Sequence, residues 1–326
     1  MNRILLLALL AAVAVLTGCM VPRPPGDSPL RYRDQTFTNV SITRDIQYGS
    51  APVNGAQQAL RLDLYQPTPD TQASRPAVVW VHGGGFSGGD KGSGPSPELA
   101  AIFARLGYVT VSINYRLLGS GCTGASVTSS CYAAAIAAKE DAQAAVRWLR
   151  ANASTYRIDP TRIGIGGESA GGITATLVGV NSESPGSSGN PGFSSAVRGF
   201  VSISGGLPDG VFAGAGDAAG LLFVGTADTL VPPVWSAQTA GALLNNGVPA
   251  YVQAFEGAGH VPWFGAPREQ MITQSNYFLY TFLDVAHAAG QPATAAREFE
   301  QQARQMAEKY PRLAKPLRER YPALAR

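Results

Sequence analysis

Short apolar runs alternate along the chain with longer segments whose apolar positions recur at helical spacing. Short runs bounded by turn residues are typical of buried strands, and the longer pattern is typical of amphipathic helices. The strand-like runs are residues 37–48, 60–65, 77–81, 108–114, 162–166, 197–204, 221–225 and 251–255. The helical patterns are residues 97–106, 133–153, 170–180, 234–246 and 268–288. This alternation predicts an α/β fold: a mostly parallel sheet of about eight strands with helices on both faces.

Two connections depart from the strand–helix alternation. A turn around Asn54-Gly55 joins the first two strand-like runs, which predicts an antiparallel pair at the edge of the sheet. Only about sixteen residues separate the runs 197–204 and 221–225. This short connection leaves little room for a lid, so we expect an open cleft.

The 326 residues fit one α/β domain with an extension at each end, and the hydrophobic content of 45% is sufficient for a large core. We assign residues 1–18 to a lipoprotein signal peptide, 19–36 to a lipid-anchored tether and 37–288 to the α/β domain. Residues 289–326 form a basic extension that we expect to be helical.

The first residues have the character of a secretory signal. A positive start precedes the apolar run 4–16, which is shorter than an ordinary membrane-spanning helix. The sequence Leu-Thr-Gly-Cys at 16–19 resembles a bacterial lipobox, which implies cleavage before Cys19 and lipid attachment there. Met20 replaces the aspartate associated with inner-membrane retention, so we expect an outer-membrane lipoprotein with its domain on the periplasmic or surface face. The alternative is a soluble secreted protein whose signal contains a cysteine.

The charge distribution argues against nucleic acid as a partner. The formal net charge is +3, and the segment from Arg297 onward carries eight basic and four acidic residues, so the rest is about neutral. Two interpretations of the basic segment remain open: contact with anionic lipid or cell-wall polymer, and a solvated helical extension.

A candidate nucleophile lies in the sequence Gly167-Glu168-Ser169-Ala170-Gly171. A strand-like run precedes it and a helical pattern follows, which is the context of a nucleophile elbow. An ordinary tight turn between strand and helix is the alternative.

A glycine loop, residues 82–86 (His-Gly-Gly-Gly-Phe), follows the strand-like run 77–81. Acyl transfer passes through an oxyanion that needs preorganised N–H donors, and glycines let the main chain approach it closely. We assign these donors to the amides of Gly84, Gly85 and Ala170, and expect His82 to brace the loop by a hydrogen bond. A flexible surface turn is the alternative.

Asp228 is the candidate acid because it follows the buried run 221–224, at the sheet edge where α/β proteins bind ligands. Asp209 and Asp217 compete with it, but neither follows a strand-like run. Glu256 follows one, but it lies too close in sequence to the histidine that it would orient.

The candidate base is His260, which follows the strand-like run 251–255. The other two histidines are His82 and His287, and the latter lies among alanines in a helical pattern. The order Ser169, Asp228, His260 is the order expected of α/β-hydrolases.

Two cysteines, Cys122 and Cys131, enclose a loop rich in Ser, Thr and Gly. In an oxidising compartment they are able to form a disulfide that stiffens a wall beside the cleft, and two free thiols are the alternative. No Cys/His cluster has metal-ligand spacing, so we expect no metal and no cofactor.

Together these motifs resemble those of the α/β-hydrolase-fold carboxylesterases, in particular the hormone-sensitive-lipase-like esterases and the bacterial feruloyl/acetyl-xylan esterases (the BD-FAE group). The supporting residues are 62–67, 82–86, 114–117, 147–149, 158–160, 167–172, 225–228 and 257–260. The resemblance implies a serine carboxylesterase, with catalytic roles for Ser169, Asp228 and His260 and oxyanion donors at the amides named above. It leaves the ester open.

We expect esters of short acyl groups, because the cleft has little lid. Acetyl and feruloyl esters on a polysaccharide are candidates. Two alternatives remain: an amidase or arylformamidase, and an inactive hydrolase fold that serves as a surface binding protein.

Overall fold

One eight-stranded sheet forms the centre of the protein in a computed structural model, which describes residues 21–119, 122, 127–180, 185–210 and 212–285. The strands are β1 (Asn39–Val53), β2 (Ala56–Thr68), β3 (Arg75–Val81), β4 (Val109–Ile113), β5 (Ile158–Glu168), β6 (Gly199–Ile203), β7 (Ala219–Gly225) and β8 (Ala250–Phe255). Their order in the sheet is β1-β2-β4-β3-β5-β6-β7-β8. The pairs β1/β2 and β2/β4 are antiparallel and all other pairs are parallel, which confirms the predicted sheet and its antiparallel edge.

Six helices occur in the described residues. They are α1 (Pro95–Leu106), α2 (Ser129–Ala151), α3 (Ala153–Tyr156), α4 (Ala170–Val180), α5 (Pro233–Asn245) and α6 (Arg268–Phe282). Two short 3₁₀ turns are Pro208–Gly210 and Pro262–Phe264. One apolar core includes residues of α2, α4 and α5, and a second core includes residues of α1 and α6. Helices therefore cover both faces of the sheet, as the pattern predicted.

The central strand β3 shows why the sheet has two cores. Ala77, Val79 and Val81 belong to the first core, whereas Val78 and Trp80 belong to the second. Side chains of a strand point alternately to opposite faces, and every residue of β3 is buried. The apolar run 76–81 fits burial on both faces, because each large apolar side chain removed from water contributes about 1.5–3 kcal/mol.

The register of the parallel strands brings their carboxyl ends to one edge of the sheet. Val81 pairs with Gly167, and Ile203 pairs with both Glu168 and Phe223. The loops that follow β3, β5, β6, β7 and β8 consequently meet at this edge, which is where open α/β sheets bind ligands.

Residues 21–36 pack against the domain, which differs from the free tether expected for 19–36. Val21 and Tyr32 are buried, and the Val21 N–H donates to the side-chain oxygen of Gln274 on α6. Asn276, also on α6, donates to the Arg33 carbonyl oxygen at 2.6 Å. Two buried apolar side chains and these hydrogen bonds hold the segment against the domain.

The predicted signal peptide (1–18), Cys19 and the basic extension (289–326) lie outside the described residues. Within the described ranges, no helix combines the length and the apolar character that crossing a membrane requires.

Candidate active site

Ser169 occupies a sharp turn between β5 and α4. Its φ of 55° lies in the left-handed region, a conformation that costs about 1–3 kcal/mol for a residue other than glycine. Its N–H donates to the Ile203 carbonyl at 2.8 Å, which ties the turn to β6. A Cβ atom at Gly167 or Gly171 would collide with the Val81 carbonyl oxygen, so side chains are excluded on both sides of the serine. The turn has the geometry of a nucleophile elbow.

The imidazole of His260 joins the predicted nucleophile and the predicted acid. Its Nε2 lies 2.8 Å from Ser169 Oγ, and its Nδ1 lies 2.7 Å from Asp228 Oδ2. An ionised carboxylate only accepts hydrogen bonds, so Nδ1 carries the proton and Nε2 accepts the serine hydroxyl. The structure therefore brings together the three side chains that the sequence pointed to, in an arrangement that permits a proton relay.

The carboxylate of Asp228 is fixed from two sides. Its Oδ1 accepts the N–H groups of Leu230 and Val231 at 2.9 and 3.0 Å, while Oδ2 faces His260. Burial raises the pKa of Asp228, but the hydrogen bonds from His260 and the two amides outweigh it, and the net pKa is lowered. Asp228 is therefore ionised when it orients the imidazole.

The competing acids make other contacts. Asp209 binds Gln238, Asp217 accepts the Gly214 N–H, and Glu256 is exposed. His287 lies outside the described residues. No group of three or more His, Cys, Asp or Glu side chains in the described part of the chain is arranged to hold a metal ion.

The loop that carries His260 is held by Ser204, which the sequence analysis did not identify. The Val261 N–H donates to Ser204 Oγ at 2.9 Å, and Ser204 is 2% exposed at the end of β6. A Cβ atom at Gly225 would collide with the Gly259 carbonyl, so β7 admits this loop only with glycine there. The one signal in the sequence was the position of Ser204 at the end of the strand-like run 197–204.

The glycine loop lies beside the nucleophile. A Cβ atom at Gly83 would be 3.2 Å from Ser169 Cβ, which places the loop against the elbow. His82 Nδ1 lies 2.6 Å from the Gly83 carbonyl oxygen, and its ring stacks on Tyr115 with 4.4 Å between centroids. Burial lowers the pKa of His82, so a neutral ring with a proton on Nδ1 makes the bracing hydrogen bond that we expected.

The directions of the predicted oxyanion donors follow from these contacts, because a peptide unit is planar and its N–H points opposite its C=O. The Gly84 N–H shares a peptide with the Gly83 carbonyl, which His82 fixes. The Gly85 N–H shares a peptide with the Gly84 carbonyl, which accepts the N–H groups of Ser87 and Gly88 at 3.1 and 3.0 Å. Both amides are therefore held by hydrogen bonds on the far side of their peptides.

Cys122 and Cys131 form a disulfide, as predicted. The Cys122 N–H donates to the Gly85 carbonyl at 3.1 Å, and the Leu118 N–H donates to the Phe86 carbonyl at 3.2 Å. The disulfide thus connects the glycine loop to the first turn of α2, which contains Cys131.

Glu168 is a second residue that the sequence analysis did not assign to the site. Its Oε1 accepts the Gly83 N–H at 3.0 Å, and its Oε2 accepts the Ser96 hydroxyl at 2.8 Å. Burial raises the pKa of Glu168 to about 7. A buried carboxylate therefore lies between the elbow and the glycine loop.

Comparison with known proteins shows that the chain is similar to esterases. Residues 62–196 match the BD-FAE family. Carboxylesterase 1C from Rattus norvegicus is 36% identical over 130 residues, which are 40% of this chain and 23% of the rat protein. The chain thus aligns with less than a quarter of that relative.

Solved structures match a larger part of the chain. A truncated carbohydrate esterase from gut microbiota has a TM-score of 0.61 and 22% identity, covering 77% of this chain and 98% of that one. Butyrate-bound esterase 2 of Thermogutta terrifontis has a TM-score of 0.59 and 22% identity, covering 77% and 96%. The protein has the α/β-hydrolase fold and resembles the carboxylesterases of the BD-FAE family.

Proposed function

We propose that the protein is a serine carboxylesterase that cleaves esters through an acyl-enzyme on Ser169. The observation that carries the proposal is the position of His260, whose two ring nitrogens contact Ser169 Oγ and Asp228 Oδ2 at 2.8 and 2.7 Å. The proposal is also supported by the relative and the two structural neighbours named above, which are a carboxylesterase and two esterases.

The chemistry follows from these contacts. His260 takes the hydroxyl proton as Ser169 Oγ attacks the ester carbonyl, and Asp228 stabilises the imidazolium that forms. The amides of Gly84, Gly85 and Ala170 donate to the oxyanion, and the last of these lies at the N-terminus of α4, where partial positive charge favours an anion. The imidazolium protonates the leaving alcohol, and a water activated by the same imidazole then releases the acid.

The substrates that we propose are short-chain esters, including acyl substituents of polysaccharides. Between β6 and β7, the described residues contain only the single 3₁₀ turn Pro208–Gly210, so no helical lid covers the cleft from this connection. A cleft without a helical lid from this connection suits a small acyl group on a bulky alcohol. Butyrate in one neighbour and carbohydrate esterase activity in another support this class.

The experiment is a substrate panel with purified, unlipidated protein: nitrophenyl acetate, butyrate and laurate, acetylated xylan, methyl ferulate and an aryl formamide. We expect hydrolysis of the acetate and butyrate to exceed that of the laurate, and Ser169→Ala to abolish it. Preference for the formamide would support an amidase instead, and folded protein without any hydrolysis would support a binding protein.

We also propose that the mature protein is anchored to the outer membrane of a bacterial envelope through lipid on Cys19. The lipobox-like sequence supports this location. Metabolic labelling with a fatty acid should mark the wild-type chain and not Cys19→Ala, and equal labelling of both would contradict the anchor.

A further inference from the structure

The carboxyl group of Glu168 contacts the first peptide of the glycine loop. Glu168 ends β5 and directly precedes Ser169. Its side chain turns towards the glycine loop, where Oε1 accepts the Gly83 N–H at 3.0 Å. One residue therefore connects the strand that carries the nucleophile to the loop that carries two of the proposed oxyanion donors.

The contact fixes the peptide between His82 and Gly83 from one side, and a second contact fixes it from the other. The His82 carbonyl accepts the Tyr115 hydroxyl at 3.1 Å, while the Gly83 N–H of the same peptide faces Glu168. Because the peptide is planar, rotation about its axis would break both hydrogen bonds. The next peptide begins at Gly83 and carries the Gly84 N–H. The direction of this N–H therefore depends on the preceding peptide, which Glu168 holds.

The position of the carboxylate is itself tightly determined. Its second oxygen accepts the Ser96 hydroxyl in the first turn of α1 at 2.8 Å, and the residue is 4% exposed. A Cβ atom at Gly94 would lie 2.7 Å from Oε1, so the chain contains glycine where the carboxylate needs space. No ion pair with Glu168 occurs within the described ranges. Burial without a cation disfavours the ionised form of this carboxyl group, which is why its pKa is raised.

We propose that Glu168 is a positioning residue that holds the amides of Gly84 and Gly85 in the orientation needed to bind the oxyanion. This inference rests on the proposed esterase function. Since the oxyanion forms only after attack, the contribution of Glu168 falls on the transition state rather than on ester binding, and its loss changes kcat more than KM.

The test compares Glu168→Ala with Glu168→Gln, using nitrophenyl acetate. Alanine removes the acceptor for the Gly83 N–H, whereas the glutamine oxygen still accepts it and the glutamine NH₂ donates to Ser96. We expect Glu168→Ala to lower kcat about 10²-fold, the order found when one oxyanion donor is lost, with KM within about threefold of wild type. Glu168→Gln should recover kcat to within about fivefold of wild type.

Asp70→Asn is the matched control for loss of a buried carboxylate. Asp70 binds Arg31 and Arg75 at the opposite end of β3, on the order of 20 Å from the glycine loop by strand geometry. We expect it to lower the melting temperature and leave kcat unchanged.

The inference is wrong if Glu168→Ala retains wild-type kcat, if KM rises while kcat stays constant, or if the glutamine variant is as impaired as the alanine variant. If Glu168→Ala does not fold, the test uses Glu168→Gln and Ser96→Ala, both of which should fold. We expect kcat within about fivefold of wild type for Glu168→Gln and within about tenfold for Ser96→Ala. A larger loss of kcat in Glu168→Gln overturns the inference. If the wild-type protein is active and Glu168→Ala has the same kcat, this inference is rejected and the proposed function stands. Inactive wild type rejects the proposed function and the inference with it.

Discussion

His260 Nε2 lies 2.8 Å from Ser169 Oγ, although 91 positions separate the two residues in the chain. The contact exists because β5 and β8 end at the same edge of the sheet and because the loop after β8 is tied to the end of β6. That tie is the hydrogen bond from the Val261 N–H to Ser204 Oγ. The proton relay therefore depends on backbone contacts as well as on its three side chains.

Ser204→Ala should lower kcat about tenfold. The Val261 N–H loses its acceptor, so the loop shifts and His260 moves away from the serine hydroxyl. A buried donor left unsatisfied also costs about 1–3 kcal/mol of stability, measurable by urea unfolding. Ser112→Ala is the control, since Ser112 on β4 is equally buried and donates to the Lys91 carbonyl. It should reduce stability only, and an equal loss of kcat in both variants would reject the role of Ser204.

Asp228→Asn should lower kcat by about 10³- to 10⁴-fold with little change in the fold. Asparagine is able to accept the amides of Leu230 and Val231 through its oxygen, but its NH₂ then faces His260 and favours the wrong tautomer. Steady-state kinetics and circular dichroism measure the two effects. The acid would have to be another residue if the variant kept more than a tenth of wild-type kcat.

The pH dependence of stability should reveal Glu168. Burial raises its pKa from 4.5 to about 7, so the native state holds a proton that the unfolded state has released between these values. The contribution of the protonated Glu168 to the free energy of unfolding is complete below pH 4.5 and is lost as the pH rises to about 7. The free energy of unfolding of Glu168→Gln, relative to that of wild type, should therefore rise by up to about 3 kcal/mol from pH 4.5 to pH 8. Unfolding in urea at both pH values measures this change. A difference that does not change with pH would contradict the raised pKa.

Opening the disulfide should affect both stability and catalysis. The double variant Cys122→Ser/Cys131→Ser removes a short cross-link, which is worth about 2–3 kcal/mol in the chain-entropy description. The glycine loop loses one support, because the Cys122 N–H bonds the Gly85 carbonyl, so kcat should fall about three- to tenfold. Unchanged kcat, with or without lower stability, would show that the loop is held without the disulfide.

The sequence was sufficient to predict the strands and the three relay residues because each has a local signal. Buried strands are continuous apolar runs, and Ser169, Asp228 and His260 follow such runs within a few residues. The edge strands β1 and β2 extend beyond their predicted limits, since their ends are largely exposed and carry polar residues. Backbone pairing at the edge, not an apolar pattern, determines those limits.

Ser204 and Glu168 were missed because their partners are distant in sequence, 57 and 85 positions away. A side chain whose role depends on such a contact leaves no periodic pattern. The same reason applies to residues 21–36, because Val21 and Tyr32 bond to Gln274 and Leu106, which are distant in sequence.

The most direct test of the relay is to trap the acyl-enzyme. The protein is mixed with nitrophenyl acetate, quenched with acid within milliseconds, and digested for mass spectrometry. We predict one acetyl group, on the peptide that contains Ser169, and its absence from His260→Ala quenched at the same time. Hydrolysis at the wild-type rate by Ser169→Ala, or an acetyl group found only on another residue, would contradict the account.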